Sequence, residues 1–369
     1  MPTWRRGQAA PFARGSKASD HVDARDTPEQ AELRRTVRQL AQQLGPRSVL
    51  DLDDERRARR LAEAVRSAGL LDLRHDDGGG GPLAGGVEAA IVADALAGTV
   101  ADVAFAGPVL AADLARRAGC RPLPGAVIAF SANLIDAAVV PGPVTTTPIH
   151  AVDCATESPH AAYVLVPEGG GYRLAYVQVD GANNEGADLT RTLRPIAAGS
   201  PRIDVPDQRR ILTADDLVSC AALGLALTSA DLVGLMRGVL DRTVAYAAER
   251  RQYGVAVGSF QAVQHLLAEA RCLMEGSFSV ALHAAWAVDN LAPDEARAAG
   301  RVAKAYCARA ARTACETAVQ VHGGMGNTWD CIVHLYLRRA LLSAQWFGDD
   351  GEQLRQLQRE RLGVTDGLS

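Results

Sequence analysis

Aromatic residues make up only 5% of this 369-residue sequence, although 48% of it is hydrophobic. Alanine, leucine and valine therefore build the interior, which favours closely packed helices over a large β-sandwich. No run of about 18 apolar residues occurs and no secretory h-region is present, so neither a membrane-spanning helix nor export is expected. No block of basic residues occurs, and the formal net charge is -4, which argues against nucleic acid as a partner. The seven cysteines form no C-x-x-C pair and their number is odd, so reduced, mostly buried thiols in a cytoplasmic protein fit best. No H-E-x-x-H appears and the eight histidines are scattered, so no metal site is expected. No G-x-G-x-x-G precedes a helix, and a dinucleotide would have to be held in some other way.

What is present divides the chain into an α+β arrangement of helices, then strands, then helices. The length itself implies two or three packed units. Residues 1–26, arginine-rich before their first acid, read as a flexible tail, with an organelle transit peptide as the alternative. "TPEQAELRRTVRQLAQQL" opens on a capping-box pattern of Thr27 and Gln30 with Pro28 at the first helical position. Leu33, Val37, Leu40 and Leu44 then recur at helical spacing. A second helix over "DDERRARRLAEAVRSAGLLDL" is expected to bury Leu61, Val65 and Ala68 and to stop at Gly69, and two Ala-rich helical segments lie between Gly86 and Arg117. Residues 27–121 therefore read as an N-terminal helical domain. From 122 to 213 the texture changes to short β-branched runs, "PGAVIAFSAN", "AAYVLVP", "YRLAYVQVDG" and "PRIDVP", with "PEGGGY" as a hairpin loop, which reads as a small middle β-domain. Residues 214–369 return to long helices, expected at Asp215–Arg250, Ser259–Asn290, Pro293–Val321, Trp329–Trp346 and from Asp349 onward, in a C-terminal bundle.

Three stretches of that last domain carry possible chemistry. In "AERRQYGVAVGSFQAVQHLLAEA", Arg250 and Arg251 close one helix and Gln261 lies at the start of the next. Free backbone N–H groups beside an arginine fork suit a phosphate, while arginines capping the helix carbonyls are an equally good structural account. In "QVHGGMGNTWD", Gly323 and Gly324 would let a ligand approach the backbone, or would simply end a helix. In "QWFGDDGEQ", Asp349 and Asp350 stand where an N-cap and a first-turn acid belong, or where a catalytic base is offered.

Together, "RRQYG…FQAVQHLLAE", "QVHGGMGNTWD" and "HLYLRRA" followed by "FG" resemble the C-terminal helical domain of the acyl-CoA dehydrogenase family, and the likeness runs from Thr27 onward. The middle region matches weakly, through phrases such as "DLTRTL" at Asp188–Leu193. The resemblance implies a helical domain, a small β-domain and a four-helix bundle, assembled as a tetramer with FAD at a subunit interface. It further implies that Arg250 reaches the FAD pyrophosphate of a neighbouring subunit. By the same carry-over Tyr253, Gln261, Gln320, Gly323 and Gly324 surround the rest of the adenosine end.

The family removes the α-proton of an acyl-CoA thioester with a carboxylate while the β-hydride goes to flavin, and the protein must supply that base. In most of the family the base is a Glu in an aromatic-Glu-Gly turn. Here "HLYLRRALLSAQWFG" aligned without gaps puts Trp346 on the aromatic, Phe347 on the glutamate and Gly348 on the glycine. Other members carry the base on the first long helix of the domain, where "AALGLALTSADLVG" offers Gly224 and Leu225, and Asp231 lies about two turns further. The middle region "AFSANLIDAAVVPGP" also lacks the family's Thr-Glu-Pro loop. The chain is thus similar to the base-lacking subunits of actinobacterial α2β2 acyl-CoA dehydrogenases that act on bulky chains such as steroid side chains. That implies a catalytic partner subunit that holds most of the acyl-CoA. Two alternatives stay open: a self-sufficient flavoenzyme using Asp349 or Asp350 as a shifted base, and a flavin-free interaction protein on the same fold.

Overall fold

The structure, a computed structural model, describes residues 25–154, 160–179 and 186–362. Almost all of the tail expected over residues 1–26 lies outside the described residues. The N-terminal helices are α1 (Pro28–Leu44), α2 (Glu55–Ser67), α3 (Gly86–Ala97) and α4 (Ala106–Arg117). At α1 both bonds of the capping box form: Thr27 Oγ1 accepts the Gln30 N–H and Gln30 Oε1 accepts the Thr27 N–H. α2 buries Leu61 and Val65, but Ala68, expected beside them, is exposed because it caps the helix beyond its last turn; Gly69 follows with the left-handed φ of 70° that a glycine tolerates. α3 and α4 are apolar on nearly every face because both are enclosed, α3 by α1, α5 and α6 and α4 by the sheet and α5.

The middle of the chain forms one six-stranded sheet in the order β5-β2-β1-β3-β4-β6. Its strands are β1 (Val127–Phe130), β2 (Ile149–Val152), β3 (His160–Glu168), β4 (Gly171–Val179), β5 (Leu193–Ile196) and β6 (Arg202–Asp204). β3 and β4 pair through a two-residue Gly169–Gly170 turn, as the glycine run predicts. β1 and β3 run parallel and the other neighbours antiparallel. β2 and β5 were not expected: each has four residues, and His150 and Arg194 break the apolar signal.

The C-terminal region contains α5 (Ala214–Glu249), a hairpin of β7 (Arg251–Gln252) and β8 (Val255–Ala256), α6 (Gln261–Asn290), α7 (Pro293–His322), α8 (Val333–Gln345) and α9 (Asp350–Leu362). α8 starts later than Trp329, because Thr328 to Cys331 form a turn closed by the bond from Cys331 N–H to Thr328 O. α5 and α7 run parallel, with Gly300 packed on Ala222 and Leu225 at one end and His322 stacked on Tyr246 at the other. α3 crosses α5 backbone to backbone: a Cβ on Gly234 or Gly238 would stand 2.2 or 2.0 Å from the carbonyl oxygen of Asp94 or Gly98. Only glycine fits there. α5 is long and apolar enough to cross a membrane by length and composition, although the sequence has no uninterrupted apolar run of that length. Thr228, Ser229 and Asp231 interrupt it, and 83% of the apolar window is buried inside the protein, so core packing accounts for its character.

Candidate functional site

The turn Trp346–Phe347–Gly348 lies between α8 and α9. The Trp346 and Gly348 N–H groups donate to Leu342 O and Gln345 O, closing α8. Phe347 and Gly348 both adopt left-handed conformations, with φ of 67° and 89°. A buried phenylalanine in that region costs about 1–3 kcal/mol and persists only where its surroundings hold it. They do so from several sides. The Phe347 N–H donates to Leu134 O at 2.8 Å, and Leu134 is itself left-handed. Gln353 Nε2 donates to Phe347 O at 2.6 Å, and Lys304 Nζ donates to Trp346 O at 2.8 Å and to Ser343 O.

The Phe347 ring lies on Gly224 of α5. A Cβ at residue 224 would stand 2.1 Å from the ring's Cζ. Phe130, at the end of β1, meets Phe347 edge-on at 5.1 Å and Trp346 edge-on at 5.9 Å. Phe347 and Gly224 therefore face one another, the phenylalanine filling the space above the glycine. Beside Trp346 remains a cavity of about 10 Å³, lined in part by Arg191, Thr228, Asp231 and Arg339. That is room for one water, not for a thioester.

Beneath the turn lies a buried ionic layer. Asp231 takes Arg339 at 2.6 Å and Arg191 at 2.9 Å, and its second oxygen accepts the Ser343 hydroxyl at 2.7 Å. Burial alone would raise the Asp231 carboxyl, but the two guanidiniums outweigh it and hold it well below the usual carboxylate range. Arg191 also donates to Ser343 Oγ, pairs with Asp153 at 3.3 Å and stands 5.4 Å over the Trp346 ring. Asp153 in turn accepts the Phe105 and Gly107 N–H groups, capping α4 from outside. Asp231 is thus consumed by structure and offers no base. Lys304 is fully buried, and that burial pushes its ammonium down to about 7.

Asp349 and Asp350 are occupied differently. Asp349 Oδ1 accepts the Glu352 N–H at 2.7 Å as the cap of α9, and Asp350 pairs with Arg309 at 3.6 Å. Both sit beyond the left-handed Gly348 rather than at the ring of Phe347.

The other candidate residues gather at the far end of the bundle, where the Tyr246–His322 stack at 4.2 Å joins the C-terminal ends of α5 and α7. Arg250 closes α5 through its backbone, donating to Tyr246 O and accepting from Val257 N–H. Among the described residues neither the Arg250 nor the Arg251 guanidinium bonds a helix carbonyl, so the capping account of these side chains fails. Tyr253 and Gly254 form the two-residue tip of the β7–β8 hairpin, with Tyr253 94% exposed and edge-on to Phe260 at 6.4 Å. Gln261 begins α6 and is exposed. Gln320 is exposed in the last turn of α7, and a Cβ at Gly323 or Gly324 would meet nothing within 4 Å. The Arg250 guanidinium, Tyr253, the Gln261 and Gln320 amides and the Gly323–Gly324 backbone are each exposed.

Residues 222–362 match the family described as acyl-CoA dehydrogenase, C-terminal domain. Acyl-CoA dehydrogenase IpdE2 of Mycobacterium tuberculosis is 30% identical over 339 residues, 90% of this chain and 97% of that protein. The chain belongs to the acyl-CoA dehydrogenase family. Acyl-CoA dehydrogenase FadE34 of the same organism is 33% identical over 249 residues, and the match spans 64% of this chain but only 34% of that longer protein. Two solved structures share the fold: the ChsE4–ChsE5 complex from Mycobacterium tuberculosis (TM-score 0.70, 22% identity, 94% of this chain and 100% of that one) and the Tcur3481–Tcur3483 steroid ACAD G363A variant (TM-score 0.71, 20% identity, 91% and 98%).

Against an acyl-CoA dehydrogenase site, the two ends of this chain differ. The turn end does not fit a flavin ring with a thioester, because Phe347, Phe130 and Trp346 fill it. The Arg250–Gly324 end suits a pyrophosphate and adenosine, having an exposed guanidinium with no ion pair among the described residues and backbone that a ligand can approach. Sequence reasoning missed Arg191, Arg339 and Lys304. Only "DLTRTL" hinted at Arg191, and no local pattern reveals that three distant cations meet beneath one turn.

Proposed function

We propose that this chain is the base-lacking subunit of an FAD-dependent acyl-CoA dehydrogenase, joined two-and-two with a catalytic subunit whose flavin site it completes. FAD, when bound, accepts the β-hydride of an acyl-CoA thioester while a carboxylate takes the α-proton. The observation that carries the reading is Phe347 on Gly224: neither place for that carboxylate holds an acid, and the space between them is closed. In the assembly Arg250 holds the pyrophosphate and Tyr253, Gln261, Gln320, Gly323 and Gly324 receive the adenosine of a flavin whose ring lies in the partner. The likeness in fold to a two-chain complex and to a steroid ACAD supports a partner subunit and a bulky, steroid-derived acyl chain held mainly by that partner. Free cysteines throughout the described residues suit the cytoplasm.

The self-sufficient alternative needs Asp349 or Asp350 as a base, and Asp349 is committed to capping α9. The test is the flavin absorbance of the chain purified alone and after co-expression with adjacent acyl-CoA dehydrogenase-like genes. The chain alone should be colourless and inert to acyl-CoA. Yellow protein that an acyl-CoA bleaches without a partner would sink the proposal.

A further inference from the structure

We propose that Phe347 is a latch, which shuts the end of β1 and the loop after it onto the helical bundle. Segments far apart in sequence converge on its ring and backbone. Phe130 comes from the end of β1, Leu134 from the loop after it, Gly224 from α5, and Phe347 itself from the turn after α8. Apart from the Arg191 bonds to Asp231 and Ser343, which tie the segment before β5 to the bundle, the loop after β1 is held to the bundle by the backbone bond from the Phe347 N–H to Leu134 O, and both residues are left-handed. Such paired outliers persist where a junction is over-determined. Here α7 and α9 supply the constraint, through Lys304 Nζ on Trp346 O and Gln353 Nε2 on Phe347 O.

Gly224 makes the latch a fitted one. Any side chain at 224 would overlap the Phe347 ring, so the two positions determine each other across the junction. With the ring seated, the cavity beside Trp346 measures about 10 Å³, room for one water. The chain is therefore closed before assembly, with its Arg250–Gly324 surface already formed. The latch belongs to the chain alone. Its failure and the failure of the partner role are read on different samples, the first on the lone chain and the second on the complex.

Hydrogen exchange on the full chain, without a partner, tests the latch. In Phe347→Ala the amides of segment 131–138 should exchange more than about a hundredfold faster, the ratio implied by removing a large buried ring. Amides of α5 to α7 should stay within about threefold of wild type, because the opening is local. Phe347→Leu should give an intermediate rate, and it decides the matter if the alanine variant does not fold. Continued protection of 131–138, or equal loosening of the whole chain, would each overturn the latch.

Discussion

At the scale of single residues, the contrast between Phe347 and Arg250 governs what this chain can do. Phe347 is buried at the junction of α5 and the turn after α8, whereas Arg250 is exposed with its guanidinium free of ion pairs among the described residues. Replacing Arg250 by alanine in the assembled complex removes a charge-assisted contact worth about 1.5–3 kcal/mol. FAD should then bind roughly tenfold to a hundredfold more weakly, measured by flavin release on dilution, with the fold of the lone chain unaltered. Unchanged retention would mean that the arginine does not reach the pyrophosphate. Asp349→Ala should cost about 0.5–2 kcal/mol in urea unfolding, the value of a helix cap, and leave turnover of the complex intact. A collapse of turnover in a folded variant would restore Asp349 as a base.

At the scale of elements, the end of α8 depends on a lysine of α7. Lys304 caps the carbonyls of Ser343 and Trp346 from a fully buried position, and burial lowers it from the ordinary 10.5 to about 7. Below about pH 7 both folded and unfolded chains hold the proton, and the folded state bears the cost of the buried charge. Between about 7 and 10.5 the unfolded chain keeps a proton that the folded chain has shed, so this group makes stability rise with pH. Urea midpoints at pH about 6 and about 9 should therefore diverge in wild type by more than in Lys304→Met, which lacks the titrating group. Equal pH dependence in the two proteins would show that Lys304 stays charged throughout.

Elements were also where the sequence was easiest and hardest to read. A helix announced by local chemistry, α1 with Thr27 and Gln30, begins where those residues cap it, whereas the Thr213–Asp216 box that starts α5 was not read from the sequence. Strands β2 and β5 and the β7–β8 hairpin exist through pairing rather than periodicity, so no local pattern marks them. The absence of a glutamate at Phe347 was legible from register alone. That its ring rests on Gly224 was not, because this contact joins α5 to the turn after α8 and exists only once the bundle has packed.

At the scale of the whole molecule, the two candidate regions lie apart, one at the turn before α9 beneath the sheet and one at the joined ends of α5 and α7. A chain with one closed region and one open region makes sense as half of a shared site. The most direct test is the ratio of FAD to polypeptide in the complex with its catalytic partner, from flavin absorbance after denaturation and quantitation of each subunit. The account predicts one FAD for each pair of unlike chains. One FAD for every chain would show that the region filled by Phe347 opens to take a flavin, and would contradict it.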